Sequence, residues 1–304
     1  METPPNHRTL SLHGTPYEVG FALGNALRNN LATDIEHYLE NGPLKFGDIN
    51  LQAIQSGAMG WVESLPERFQ QEMQGMAEGS GVPIEEIAAW GYADAGGEKA
   101  CSGFLLQTGE DLWVGRNNDL WVPDLWGYAI ARHIPSRLAT LSFGMRGEIF
   151  AATGLNQAGL WLHYNWLPAF DLPSGEAWTP SVLLTEMLEP CQSVDQVQTI
   201  LNETRRTGGM LIFAAKQNTG KSSAALLECA PQSVVRTDLE GRFLAGTNHY
   251  QVFSTHQPPE VYARNSVERL HALQGLLSEL PKPPKVKDLI AVLADPKVEQ
   301  HQPD

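Results

Sequence analysis

The apolar residues of this chain change their period near residue 100, and that change limits the folds open to it. Before it, hydrophobic side chains recur every three to four residues, as on one face of a helix. Thr15-Pro16-Tyr17-Glu18 holds the parts of a helix start: a hydroxyl cap, a proline at the first helical position and a glutamate able to reach back to the cap. Val19, Leu23, Leu27, Ile35 and Leu39 follow at near-helical spacing. A second start at Ser64-Leu65-Pro66-Glu67 puts Phe69, Met73 and Met76 on one face and runs to Gly79-Ser80-Gly81; a third begins at Val82-Pro83 and stops at Ala95-Gly96-Gly97. Only Thr9-Leu10-Ser11-Leu12-His13-Gly14 reads as a strand in this part.

Beyond residue 100 the runs become short and β-like, over 128–134, 138–143, 148–153 and 160–164, separated by glycine, proline and polar turns. Helices are predicted at 181–188 and 194–201, the latter with Ser193 and Gln196 as a capping box. Strands resume at 210–216, 224–229, 234–237 and 243–248. Helices at 265–277 and 287–293, joined by Pro281-Lys282-Pro283-Pro284, close the chain. With 304 residues, 42% of them hydrophobic, and no internal repeat, a single α/β domain over 1–304 is expected.

A net charge of −14 repels nucleic-acid phosphates and anionic head groups, and no basic cluster longer than Arg205-Arg206 offsets it. Neither nucleic acid nor membrane is expected as a partner. The N-terminal residues lack a signal-peptide core and no apolar run approaches the roughly 18 residues of a membrane span, so a cytoplasmic protein is expected. Cys101, Cys191 and Cys229 form an odd count without CxxC spacing, which argues against a disulfide framework or a structural zinc.

Cys101 stands at the change of period. Two short strands around the polar turn Gly109-Glu110 put Cys101 and Asp119 at the outer ends of one hairpin, where a thiol and a carboxylate can meet. Only the thiolate is a good nucleophile, so the cysteine needs a base. His133, His163 and His249 lie in the β-rich part, but none carries the local motif of a papain-like enzyme. A cut before Cys101 would supply another base, an α-amine with a pKa of about 7.7–8.0 in model compounds.

Five pieces in order then resemble the N-terminal-nucleophile hydrolases, and among them the self-cleaving acyltransferase and hydrolase group typified by isopenicillin-N acyltransferase. They are His13-Gly14-Thr15-Pro16-Tyr17-Glu18-Val19-Gly20; Met73-Gln74-Gly75-Met76-Ala77-Glu78-Gly79; Cys101-Ser102 with Gly115-Arg116-Asn117-Asn118-Asp119; Gly154-Leu155-Asn156-Gln157-Ala158-Gly159-Leu160 leading to His163-Tyr164-Asn165; and Thr247-Asn248-His249-Tyr250. The resemblance implies a four-layer αββα sandwich, cut between Ala100 and Cys101 into a helical 1–100 chain and a β-rich 101–304 chain.

It further implies that Cys101 is the nucleophile and its freed amine the base, with Asp119 holding that amine. Asn248 and Asn165 would donate to the oxyanion, a contribution worth about 3–4 kcal/mol per donor. Arg116 is expected to brace Asp119 or touch substrate, and Trp121, Trp126 and Tyr164 to contact the acyl group. The expected reaction is hydrolysis or transfer at the amide bond of a small acylated molecule. No metal or organic cofactor is implied. Acyl-CoA is a candidate donor, although the acidity of the chain offers its phosphates no evident patch, which favours water as acceptor.

The resemblance has two departures. Ala100 stands where the family has glycine. Relatives also continue past the helix at 265–277 into further strands and a late arginine, so the expectation is either an open sheet edge that invites a partner chain, a second copy included, or an incomplete gene product. Two other readings compete: an uncut, silent relative that binds a small molecule or partner, and a thiol enzyme using His163 or His249. Cys191, Cys229 and His249 read as structural.

Overall fold

The computed structural model describes residues 8–46, 50–96, 100–119, 122–167, 178–217, 222–253 and 260–299. In chain order the elements are β1 (Arg8–His13), α1 (Pro16–Leu27), α2 (Leu31–Asn41), the single turn α3 (Pro43–Phe46), α4 (Leu51–Ser64), α5 (Glu67–Ser80) and α6 (Ile84–Gly96). The hairpin β2 (Ala100–Thr108) and β3 (Asp111–Asp119) comes next, then β4 (Trp126–His133), β5 (Thr140–Met145), β6 (Thr153–Asn156), β7 (Leu160–Trp166), α7 (Pro180–Leu188) and α8 (Val194–Glu203). Strands β8 (Met210–Lys216), β9 (Ser223–Ala230), β10 (Ser233–Asp238) and β11 (Phe243–Gly246) precede α9 (Glu260–Glu279) and α10 (Val286–Leu293). The backbone sorts into two compact units, one of 1–98, 121–158 and 171–190, the other of 99–120, 159–170 and 191–304.

In the first unit the expected cap at α1 forms in full: Thr15 N–H donates to Glu18 Oε2 at 2.8 Å and Glu18 N–H to Thr15 Oγ1 at 3.3 Å. Helices α1 and α5 then meet through Gly20, Gly24, Gly75 and Gly79. A methyl group on any of the four would fall into the partner helix's backbone carbonyl, so the contact requires glycine. Strand β1 pairs in parallel with β4, and β4, β5 and β6 continue antiparallel. A buried ion pair from Arg132 on β4 to Glu72 on α5, 2.8 Å, ties sheet to helix.

Two expectations need correction here. The run 148–153 is irregular up to Thr153, because Glu148 turns back to accept from Met145 N–H at 3.0 Å beside Gly147 at φ 84°, and Phe150 leaves the strand line to pack edge-on against Trp61 and Phe69. Helix α4, capped by Asn50, was not expected at all.

The second unit contains four layers by itself, and the expected αββα class is met. Helices α9 and α10 press Leu270, Leu273, Leu277, Leu289 and Val292 onto Phe104 and Leu106 of a sheet ordered β11-β2-β3. Side chains alternate across a strand, so Leu105 points the other way, onto Leu211, Phe213 and Ala215 of the antiparallel sheet β7-β8-β9-β10. Helix α8 covers the far side of that sheet with Val194, Val197 and Leu201. Strand β2 is therefore buried on both faces. Gly103 lets the sheets close over it, since a Cβ there would stand 2.7 Å from His163 Nε2.

Candidate active site

Cys101 is the second residue of β2, and its side chain has no exposed surface. The two-residue turn pairs Thr108 with Asp111, and the antiparallel register then sets Cys101 opposite Asn118 and Ala100 opposite Asp119. Cross-strand partners share a face, so the sulfur, Asn118 and Arg116 look toward β7, while Asp119 springs from the face toward α9. The sulfur lies 3.5 Å from Asn118 Oδ1 and 3.6 Å from an Arg116 terminal nitrogen. That same nitrogen donates to Asn118 Oδ1 at 3.0 Å and to the Tyr164 carbonyl at 2.8 Å, with the guanidinium over the Tyr164 ring. A cation thus stands where negative charge would collect on sulfur.

The backbone of Cys101 is held as firmly as its sulfur. Its N–H donates to Asn248 Oδ1 at 2.9 Å, and its carbonyl accepts from Arg269 at 2.8 Å. Arg269, on α9 and buried, also reaches Ser102 Oγ at 2.9 Å, Asn248 Oδ1 at 2.6 Å and Asn265 Oδ1 at 2.8 Å. Burial pulls the guanidinium below its ordinary pKa, opposed by the charge of Asp119 and by Cys101. Asn248 is placed by Ser266 of α9, whose hydroxyl accepts from Asn248 N–H at 2.7 Å and lies 2.7 Å from His249 Nδ1.

The expected oxyanion donors each spend one hydrogen on the backbone: Asn248 Nδ2 on the Trp166 carbonyl at 2.5 Å, Asn165 Nδ2 on the Gly246 carbonyl at 3.0 Å. The Asn165 NH2 keeps a second hydrogen. Tyr164 is buried beneath Arg116. Trp126 opens β4 and packs on the core of the first unit, and Trp121 lies outside the described residues.

Neither histidine is set up as the base. Trp161 Nε1–H donates to His163 Nδ1 at 2.9 Å, so the neutral ring carries its proton on Nε2; burial first, then the charge of Arg116, hold its pKa well below the usual value. The Nδ1 atom of His249 meets Ser266, and burial lowers its pKa also. Cys229 is inert, its thiol pushed up to about 12 by burial.

Sequence reasoning missed two residues at the site. Counting outward from Gly109-Glu110 pairs Cys101 with Asn118, and a helical projection through Ser266, Leu270, Leu273 and Leu277 puts Arg269 on the same stripe. Both signals were present.

A cysteine whose backbone nitrogen and carbonyl are both anchored, at the start of the inner strand of a four-layer sandwich, fits the N-terminal-nucleophile class of acyl-transferring and amide-cleaving proteins that the sequence resembled. More narrowly, residues 106–302, about two thirds of the chain, match the family model described as acyl-coenzyme A:6-aminopenicillanic acid acyl-transferase, and the chain belongs to that family. It is 25% identical over 254 residues to the acyl-coenzyme A:6-aminopenicillanic-acid-acyltransferase 40 kDa form of Emericella nidulans, covering 79% of this chain and 68% of that protein.

Among solved structures it is similar to the Caenorhabditis elegans ortholog of N-acylethanolamine-hydrolyzing acid amidase, with TM-score 0.45, 16% identity, and coverage of 64% of this chain and 86% of that one. It is also similar to a mutant conjugated bile acid hydrolase from Clostridium perfringens, with TM-score 0.41, 13% identity, and coverage of 65% and 78%. No helix among the described residues is long and apolar enough to cross a membrane.

Proposed function

We propose that the chain cuts itself between Ala100 and Cys101 and then works as a cysteine amidohydrolase or acyltransferase on small acylated molecules, through an acyl-thioester on Cys101. The observation that carries this reading is the grip on the Cys101 backbone, with Asn248 on its nitrogen and Arg269 on its carbonyl. Strand β11 pairs with β2 only over 103–106, so at Cys101 side chains, not a neighbouring strand, hold the backbone on that side and leave the 100–101 bond outside that ladder. Freed by scission, that nitrogen becomes an amine one residue's reach from the sulfur and held by Asn248, a general base in position. Asp119, whose charge already acts on Arg269, balances the amine when it takes the proton.

Asn165 offers its remaining amide hydrogen to the oxyanion, and Asn248 is the second proposed donor. Arg116 stabilises the sulfur, and Tyr164, beneath it, is the proposed acyl contact. Acyl-coenzyme A is the donor named for the family, and it is a candidate here. A net charge of −14 disfavours its phosphates, which makes water the preferred acceptor. Three free thiols fit a reducing, cytoplasmic setting.

Intact-mass analysis of purified protein tests the reading. Pieces of 100 and 204 residues are expected, and Cys101→Ala is expected to remain whole at 33.4 kDa. Full amide turnover by a chain unbroken at residue 100 refutes it. A whole, inert chain returns the protein to the binding role.

A further inference from the structure

The amide of Asn118 has two ends in different circumstances. Its Oδ1 is occupied, accepting from Arg116 at 3.0 Å and facing the Cys101 thiol at 3.5 Å. These partners also fix which end is oxygen, because a turned amide would set NH2 against guanidinium N–H. Its Nδ2 is buried and has no hydrogen-bond partner among the described residues. Buried N–H groups are nearly always paired, so an orphaned one calls for a reason, and this one belongs to the residue directly across the sheet from the nucleophile.

We propose that Asn118 is a catalytic residue whose Nδ2–H donates to the carbonyl oxygen of the acyl group under attack by Cys101. The inference rests on the acyl-thioester reading above and deepens it. As Sγ bonds to the carbonyl carbon, the thiol proton passes to the Cys101 α-amine and the carbonyl π pair moves onto oxygen. Asn118 Nδ2–H meets that oxyanion while Oδ1 keeps its bond to Arg116. The pair then returns, the C–N bond breaks, and the leaving amine takes the proton from the α-ammonium. Asn165 has one amide hydrogen committed to a backbone carbonyl, whereas Asn118 Nδ2 has neither committed among the described residues.

The test separates acylation from alkylation of the same sulfur. Displacement at the sp3 carbon of iodoacetamide creates no oxyanion; attack on a p-nitrophenyl ester does. Asn118→Asp, which keeps the Oδ1 acceptor and removes the donor, and Asn118→Leu, which removes both, are compared with wild type in processed protein, with Cys101 labelling read by mass. Acylation is expected to fall about 100-fold in both, with alkylation kept within about threefold. Equal losses in the two reactions would make Asn118 a positioning residue for the sulfur and overturn the proposal, as would unchanged acylation. If wild-type Cys101 alkylates but no ester or amide acylates it, the acyl-thioester reading itself falls and this inference with it.

Discussion

Replacing Arg269 by methionine should destabilise the protein by about 1–4 kcal/mol, and the figure follows from what its guanidinium touches. Four acceptors lose a donor: the Cys101 carbonyl, Ser102 Oγ, Asn248 Oδ1 and Asn265 Oδ1. The carbonyl loses its charged partner inside the protein, a loss of about 1–3 kcal/mol. Asn248 Oδ1 retains the Cys101 N–H and Ser102 Oγ retains the Val298 carbonyl, so each forfeits only a net bond of about 0.5–1.5 kcal/mol.

Asn265 is exposed, and water replaces the lost donor there. Against this total of about 2–6 kcal/mol, removing a buried cation recovers desolvation of about 1–2 kcal/mol. Guanidinium unfolding followed by tryptophan fluorescence measures the result, with Asn265→Ala as a control expected within about 0.5 kcal/mol of wild type. If Arg269→Met also stays within that margin, the buried bonds are not holding the site and the reasoning fails.

Other expectations are as direct. Gly75→Ala drives a methyl group into the Tyr17 carbonyl and should lower stability by about 1–3 kcal/mol, whereas Gly60→Ala on α4, with open space around it, should raise it by about 0.5–1 kcal/mol; thermal melts decide both. The folded pKa of His163 is depressed, so below about pH 6.5 the unfolded chain binds a proton that the folded one refuses. Its contribution to stability is full above that pH and falls by as much as about 1.4 kcal/mol per unit below it. Urea titrations at pH 5 and 7.5 should show a smaller acid loss in His163→Gln than in wild type; an equal loss would contradict the buried neutral ring.

What could be read in advance was local. The Thr15 to Glu18 cap, the proline at the head of α1, the turn at Gly109-Glu110 and the switch of period near residue 100 each act over a few residues, and each appears in the structure. The ordered motifs around Cys101 also led to the right family. Helix α4 escaped because its apolar positions, Ile54, Ala58, Trp61 and Val62, sit among glycine, glutamine and serine. The run 148–153 was misread because Phe150 is apolar for packing among aromatic rings, not for a sheet face.

The surroundings of Cys101 were decided elsewhere. Propensity and period say that Cys101 starts a strand, but nothing within ten residues of it says that Asn248 will hold its nitrogen or Arg269 its carbonyl, partners 147 and 168 positions away. Those contacts exist because α9 lies on one face of β2 and Ser266 pins the segment after β11 beside it. Sequence alone determined most of the segments that form strands, helices and turns, α4 and the run 148–153 excepted, since those choices are settled largely by neighbours along the chain. Only tertiary packing decided which polar groups meet at the sulfur, because burial and hydrogen bonding between distant segments depend on how whole sheets and helices close over one another.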